Sequence, residues 1–242
     1  MVKLLLLLLS GLKFAKLGKL LFSGGSMFLS VFAYSLLYGW RYALGFVGLI
    51  AIHEGGHYVA ARQRGLAVGL PTFIPFVGAW IALKEQPMNV ETEAYVALAG
   101  PVAGAVGALI CYFLAKNVGS DLLLVLAYAG FIINLFNLIP LSPLDGGRIT
   151  AILSPRIWLL GAPILGVLFF YSPSPMLILI AVLAAPQLWS AWRNRHQAEE
   201  QAAYYSVATR IRVEFGTYYL ALVAFLAVLS YELHQQLSHV VR

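Results

Sequence analysis

The sequence predicts an all-α, polytopic membrane protein with about six to seven transmembrane helices. Of its 242 residues, 61% are hydrophobic and only 11% are charged, whereas soluble domains carry about a quarter charged residues. Apolar runs long enough to cross a bilayer recur along the whole chain. We therefore expect residues 1–242 to form one membrane-embedded domain.

The net charge of +6 is not typical of a nucleic-acid-binding surface, because the basic residues are spread over the loops between the apolar runs. With a cytoplasmic N-terminus and seven spans, every Lys and Arg except Arg41, Lys116 and Arg242 lies on the cytoplasmic side. Such an excess of positive charge inside predicts this orientation. The single cysteine, Cys111, excludes an internal disulfide.

The N-terminal segment 1–19 carries Lys13, Lys16 and Lys19 at a spacing of three among apolar residues. This pattern predicts an amphipathic helix on the membrane surface, with its lysines near anionic headgroups. A plain basic tail is the alternative. A signal peptide is not expected, since no small-residue cleavage site follows the apolar run at the start.

The predicted spans follow from the lengths of the apolar runs. They are residues 20–40, 42–61, 94–115, 122–139, 157–171, 176–192 and 215–233. The segment 157–171 is short, so we leave open whether it spans fully.

The second predicted span contains His53, Glu54 and His57. Residues four apart lie on the same face of a helix, so the two imidazoles can bind one metal ion and the carboxylate lies beside it. This spacing is typical of zinc hydrolases. It also occurs by chance in soluble helices, and a buried core histidine would explain one of the three residues. Inside a membrane helix, ionisable residues are costly and usually functional, which favours a metal site.

The stretch after this span, residues 67–83, is apolar but is interrupted by Pro71, Pro75 and Gly78. Proline disrupts helix interiors and central strands, so we expect a re-entrant, β-like hairpin beside the site. A plain interfacial loop is the alternative. In the third span, Gly100 and Gly104 begin a small-residue stripe that predicts close helix packing.

The fourth predicted span carries Asn134 and Asn137 and leads into the broken segment Asn137 to Gly147. Prolines end the helix here, and the two glycines after Asp145 allow unusual backbone geometry. A carboxylate at this point would complete a site of two histidines and one carboxylate. Alternatively, the Asp-Gly-Gly sequence is an ordinary turn.

Together, the His53-Glu54-Gly55-Gly56-His57 motif and the Asn137 to Gly147 segment resemble the site-2 proteases, a family of intramembrane zinc metalloproteases. The resemblance covers a catalytic core at residues 42–147. It implies that one Zn²⁺ per chain is bound by His53, His57 and Asp145, and that Glu54 is the general base. Asn137 matches the asparagine of the family motif, with a role in substrate binding or transition-state support. Asn134 has no match in the motif; helix packing is one interpretation of it, and its role stays open.

The resemblance also implies the function. Members of this family cleave transmembrane or membrane-anchored substrate proteins, often in regulated intramembrane proteolysis. We expect a compact form without PDZ or CBS domains, in a prokaryotic cell membrane. The lipid bilayer and protein substrates are the expected partners, and nucleic acid is not. Two alternatives stay open: a catalytically silent relative that binds and regulates membrane proteins, and a metal transporter or sensor.

Overall fold

The computed structural model describes residues 22–76, 78–80, 87–193 and 203–240. The predicted amphipathic segment 1–19 lies outside these residues. The described part is mainly helical, with one small pair of strands. The elements in chain order are α1 (Phe22–Tyr38), α2 (Trp40–Gln63), β1 (Thr72–Ile74), β2 (Gly78–Trp80), α3 (Val90–Val118), α4 (Asp121–Asn137), α5 (Asp145–Thr150), a 3₁₀ turn (Pro155–Ile157), α6 (Trp158–Tyr171), α7 (Pro175–Arg193) and α8 (Thr209–Val240).

The helices lie where the apolar runs of the sequence predicted them. Among the described residues, three helices are long and apolar enough to cross a membrane: Val90–Val118, Pro175–Trp192 and Thr209–Ser238. Shorter apolar helices occur at Phe22–Tyr38, Asp121–Asn137 and Pro155–Tyr171. A helical membrane protein is therefore confirmed, while the total of six to seven spans stays a prediction.

The stretch after α2 forms the predicted hairpin. β1 and β2 pair antiparallel, with Thr72 opposite Trp80 and Ile74 opposite Gly78. The outer edge of β1 is covered by α1, because the backbone N–H of Phe73 donates to Ser26 Oγ at 3.0 Å and the Ser23 hydroxyl donates to the carbonyl of Pro71. β2 packs against α2. A β-like hairpin is thus confirmed, and its depth in the membrane stays a prediction.

Helix α3 is central to the packing and contacts α2, α4, α5 and α8. It begins at an N-cap, where the Asn89 side chain accepts a hydrogen bond from Thr92 N at 2.8 Å. It ends at Gly119, whose φ of 64° is the left-handed geometry that glycine adopts without strain. Phe131 of α4 and Leu226 of α8 are fully buried in the same core. The helices α2 and α5, which carry the candidate ligands, therefore both pack against α3.

The connection before α8 is fixed by one arginine. Arg212 donates to three backbone carbonyls, those of Leu153 at 3.0 Å, Tyr205 at 2.8 Å and Val207 at 3.3 Å. A guanidinium group presents its donors in a planar fork, so one side chain can satisfy three acceptors. This arrangement holds the start of α8 against the end of α5.

We predict that Arg212→Lys lowers the stability of the fold. The ammonium group cannot reach all three carbonyls, and hydrogen bonds from charged donors contribute about 1.5–3 kcal/mol each when one partner is removed. A lower thermal unfolding midpoint in detergent is expected. Arg210→Lys is the matched control, because Arg210 is exposed and has no hydrogen bond or ion pair with the described residues. Equal midpoints for the two variants would contradict the prediction.

Candidate metal centre

Three side chains from two helices meet at one buried point. His53 and His57 lie one turn apart on α2, and Asp145 is the first residue of α5. The two Nε2 atoms are 3.1 Å apart, and Asp145 Oδ2 lies 3.1 Å from Nε2 of His53 and 3.2 Å from Nε2 of His57. The structure thus brings together the three residues that the sequence predicted as metal ligands.

The protonation of the His57 ring follows from its surroundings. Its Nδ1 lies 2.8 Å from the backbone carbonyl oxygen of Val96. A carbonyl oxygen can only accept, so Nδ1 carries the hydrogen and donates it. In the neutral ring, Nε2 therefore presents a lone pair to Asp145 and His53.

The His53 ring is oriented in the same way by an asparagine. Its Nδ1 lies 2.8 Å from Asn134 Oδ1, and Asn134 Nδ2 donates to the carbonyl of Gly130 at 2.7 Å. The second bond fixes which end of the amide is the oxygen, so Nδ1 of His53 must be the donor. Both imidazoles consequently present Nε2 as an electron-pair donor, which is the arrangement found around bound metals.

The donor set fits zinc. Two nitrogens and one carboxylate oxygen converge within 3.2 Å of one another, and the neutral rings place no hydrogen between them. The repulsion between these neighbouring lone pairs would be relieved by a metal ion bound between them. Ligand atoms at zinc bond lengths of about 2.0–2.1 Å in tetrahedral geometry are about 3.3–3.4 Å apart, close to the observed spacing. His53, His57 and Asp145 therefore form a buried candidate metal-binding triad suited to Zn²⁺.

Glu54 follows the first histidine on α2 and is buried. Its carboxylate lies near His53 and Asp145. Among the described residues it has no hydrogen-bond or ion-pair partner. A buried carboxylate without a protein partner, beside three metal ligands, is available to accept a proton from a bound molecule.

Two glycines of α3 provide the space for this site. A Cβ atom on Gly100 would lie 2.2 Å from His57 Nε2, and one on Gly104 would lie 2.2 Å from Asn134 Oδ1. From the sequence alone, the small-residue stripe that Gly100 and Gly104 begin is interpreted as a helix-packing feature. That interpretation is incomplete, because the groups that approach these glycines most closely are a metal-binding imidazole and the amide that orients its neighbour.

The broken segment after α4 holds Asp145 in place through close backbone contacts. A Cβ on Gly146 would lie 2.2 Å from the Leu138 carbonyl oxygen, and one on Gly147 would lie 2.3 Å from Ser142 N. Trp158 Nε1 also donates to the carbonyl of Gly147 at 2.7 Å. The glycines thus allow the chain to fold back on itself, and Asp145 is more than an ordinary turn residue.

The two asparagines of α4 have different surroundings. Asn134 is only 1% exposed and contacts a candidate metal ligand, so its role, which the sequence leaves open, goes beyond helix packing. Asn137 is partly buried, and its side chain makes no hydrogen bond with any described residue. Its catalytic role stays a prediction. The sequence does contain a sign that Asn134 is buried: it follows the small residues Ala127 and Gly130 at helical spacing, and all three lie on the buried face of α4.

We predict that Gly100→Ala weakens zinc binding at least tenfold, since a methyl group there would displace the His57 ring, and misplaced ligands cost about 10–100-fold in affinity. Chelator competition in detergent measures the zinc affinity. Gly107→Ala is the control on the same helix, because its Cβ would meet only movable side-chain methyl groups at 3.2–3.3 Å. An unchanged zinc affinity in Gly100→Ala would contradict the prediction.

We also predict that Asn134→Ala weakens zinc binding about 10–100-fold, because Nδ1–H of His53 loses its acceptor in a buried site. Asn137→Ala is the matched comparison on the same helix, and it should bind zinc as the unmodified protein does. Chelator competition in detergent measures both. If the two variants lose zinc equally, the distinction between the asparagines is wrong.

Known proteins share part of this chain. Residues 41–121 match the peptidase family M50. Zinc metalloprotease MJ0392 of Methanocaldococcus jannaschii is 32% identical over 134 residues, which are 53% of this chain and 38% of that protein. A probable zinc metalloprotease of Arabidopsis thaliana chloroplasts, EGY2, is 28% identical over 145 residues, which are 42% of this chain and 26% of the relative.

The matches therefore span less than two fifths of the length of these relatives. The family match includes the histidine pair and ends before Asp145, so the assignment of the third ligand depends on the geometry described above. The resemblance to the site-2 proteases is confirmed over residues 41–121, the part of the chain that matches peptidase family M50.

Proposed function

We propose that this protein is a zinc-dependent intramembrane endopeptidase of the site-2 protease type. It hydrolyses peptide bonds of transmembrane or membrane-anchored proteins. The observation that carries the proposal is the buried convergence of His53, His57 and Asp145 beside the carboxylate of Glu54, which has no partner among the described residues. The family match and the metalloprotease names of the relatives support it.

The ligands and the base have separate tasks in this proposal. His53 Nε2, His57 Nε2 and Asp145 Oδ2 would hold the ion. Zinc in such a site supplies Lewis acidity, which makes water acidic near neutral pH and polarises a peptide carbonyl. Asn134 and the Val96 carbonyl keep both imidazoles in the tautomer that the site requires.

Glu54 is the proposed general base and acid. One of its carboxylate oxygens accepts a proton from the attacking water as the water oxygen bonds to the carbonyl carbon. When the carbon–nitrogen bond breaks, the same carboxyl group returns this proton to the leaving nitrogen. A base without a competing protein partner can serve in both steps, because it does not first have to break a hydrogen bond.

The hairpin is the proposed binding place for the substrate backbone. Peptide hydrolysis requires an extended chain, and an extended chain can add to a free strand edge. The outer edge of β1 is occupied by Ser23 and Ser26 of α1, whereas β2 packs against α2, which carries the histidines. We therefore assign the substrate strand to the edge of β2.

The proposed setting is a prokaryotic cell membrane with the N-terminus in the cytoplasm. The charge distribution over the loops supports this orientation. In it, α2 and α4 both end towards the cytoplasmic side, so His57 and Asp145 share a depth and water can reach them from that side. Residues 42–147 form the proposed catalytic core of a single domain, with regulated release of a substrate fragment as its task.

We predict that Glu54→Gln keeps its zinc and loses at least 100-fold in cleavage rate, since positioned acid–base groups contribute about 10²–10⁴-fold. A membrane-anchored reporter measures cleavage, and comparative membrane proteomics shows which fragments disappear in the variant. Glu232→Gln, an exposed position on α8, is the control and should cleave normally.

Wild-type cleavage by a zinc-loaded Glu54→Gln protein would show that another group is the base. A wild-type protein that binds zinc but cleaves none of the reporters, and whose fragments match those of Glu54→Gln, would instead favour the silent relative. The two outcomes are distinct because the first concerns one residue and the second the activity as a whole.

A further inference from the structure

A carboxylate outside the metal site connects three separate parts of the fold. Glu93, in the first turn of α3, accepts a hydrogen bond from Arg148 Nε at 3.3 Å through Oε1. Its other oxygen, Oε2, accepts a hydrogen bond from the Tyr204 hydroxyl. Arg148 belongs to α5, and Tyr204 belongs to the connection before α8. The Arg148 and Glu93 side chains are only 25% and 24% exposed, so this ion pair is largely shielded from solvent.

The helix that carries Asp145 depends on such external contacts. α5 has six residues, which is too short for a helix to be stable by itself. Asp145 is its first residue and Arg148 lies three positions later, so their side chains are neighbours on one side of the helix. A contact that holds the Arg148 side chain therefore also limits how far α5 can rotate. That rotation determines where the Asp145 carboxylate points.

Glu93 is itself held in position from the other side. The backbone N–H of Val90 donates to the carbonyl of Tyr204 at 3.1 Å, which fixes the connection against the start of α3. Burial and the Glu93 carboxylate raise the pKa of Tyr204 above its ordinary value, so the hydroxyl keeps its proton and remains a donor. Both oxygens of Glu93 thus have a fixed partner.

We propose that Glu93 is a positioning residue for the metal site: through Arg148 it sets the rotation of α5 and holds the Asp145 carboxylate where zinc requires it. This inference depends on the proposed zinc site. Tyr204 orients Glu93, and the segment before α8 thereby becomes part of the support of the metal centre.

The same turn of α3 offers a matched control. Glu91 pairs with Arg64 at the end of α2, but this pair is longer, at 3.7 Å, and more exposed, with side chains 35% and 31% accessible. Among the described residues, no hydrogen bond or ion pair connects this pair to α5. If any loss of negative charge at the start of α3 weakened zinc binding, replacing either glutamate would do so. If Glu93 has a positioning role, only its replacement should weaken zinc binding.

The test compares Glu93→Gln and Glu91→Gln in the full chain in detergent micelles. Zinc affinity is measured by chelator competition, and each variant's thermal midpoint is recorded with it. Supporting partners of metal ligands contribute about 10–100-fold to affinity, so Glu93→Gln should bind zinc about tenfold more weakly, while Glu91→Gln should be unchanged. With Co²⁺ in place of zinc, the visible absorption of Glu93→Gln should shift, because it reports ligand geometry.

Two further variants make the result specific. Tyr204→Phe removes only the hydroxyl and should weaken zinc binding by less than Glu93→Gln. Arg148→Lys keeps the charge next to Glu93 and should retain more affinity than Arg148→Gln. If zinc affinity falls only in step with the thermal midpoint, and the cobalt spectrum does not shift, then the role of Glu93 is purely structural. That result would overturn the proposal.

The remaining outcomes are decisive as well. A folded Glu93→Gln protein with unchanged zinc affinity overturns the positioning role but leaves the proposed function intact. If Glu93→Gln does not fold, unchanged affinity in Tyr204→Phe overturns the positioning role instead. If the unmodified protein binds no zinc, the proposed function fails, and the positioning role fails with it.

Discussion

The structure depends on three lone pairs that meet at one point. His53, His57 and Asp145 come from two helices far apart in the chain, and their ligand atoms lie within 3.2 Å of one another. Without a cation, such a group would repel itself in a buried site. Much of the surrounding fold can be understood as what this convergence requires: acceptors for the two Nδ1–H groups, glycines where the rings approach α3, and a short helix that carries the carboxylate.

The fold class and the metal ligands could be predicted from the sequence for physical reasons. Apolar runs of bilayer length are long-range signals that tertiary contacts rarely override, and Pro71, Pro75 and Gly78 exclude a helix between α2 and α3. The histidines at four-residue spacing need only a helix to share a face. Asp145 could be predicted because it follows two prolines and precedes two glycines, a pattern that few ordinary turns need.

The supporting residues could not be predicted with the same certainty. Asn134 and Asn137 lie three apart on one helix, and only the packing of α4 against α2 and α3 determines which amide meets His53. The role of Gly100 also depends on the distance between two helices, which composition does not encode. Glu93 and Tyr204 are more than a hundred residues apart, so their contact is a property of the assembled fold.

The two edges of the hairpin differ in whether another strand can pair with them. A two-stranded ribbon has two open edges, and pairing at both would allow sheets to grow from chain to chain without limit. Here the serines of α1 close the edge of β1. Pairing through β2 can therefore join this hairpin to only one partner strand, so copies of the chain cannot assemble into an unlimited sheet through it.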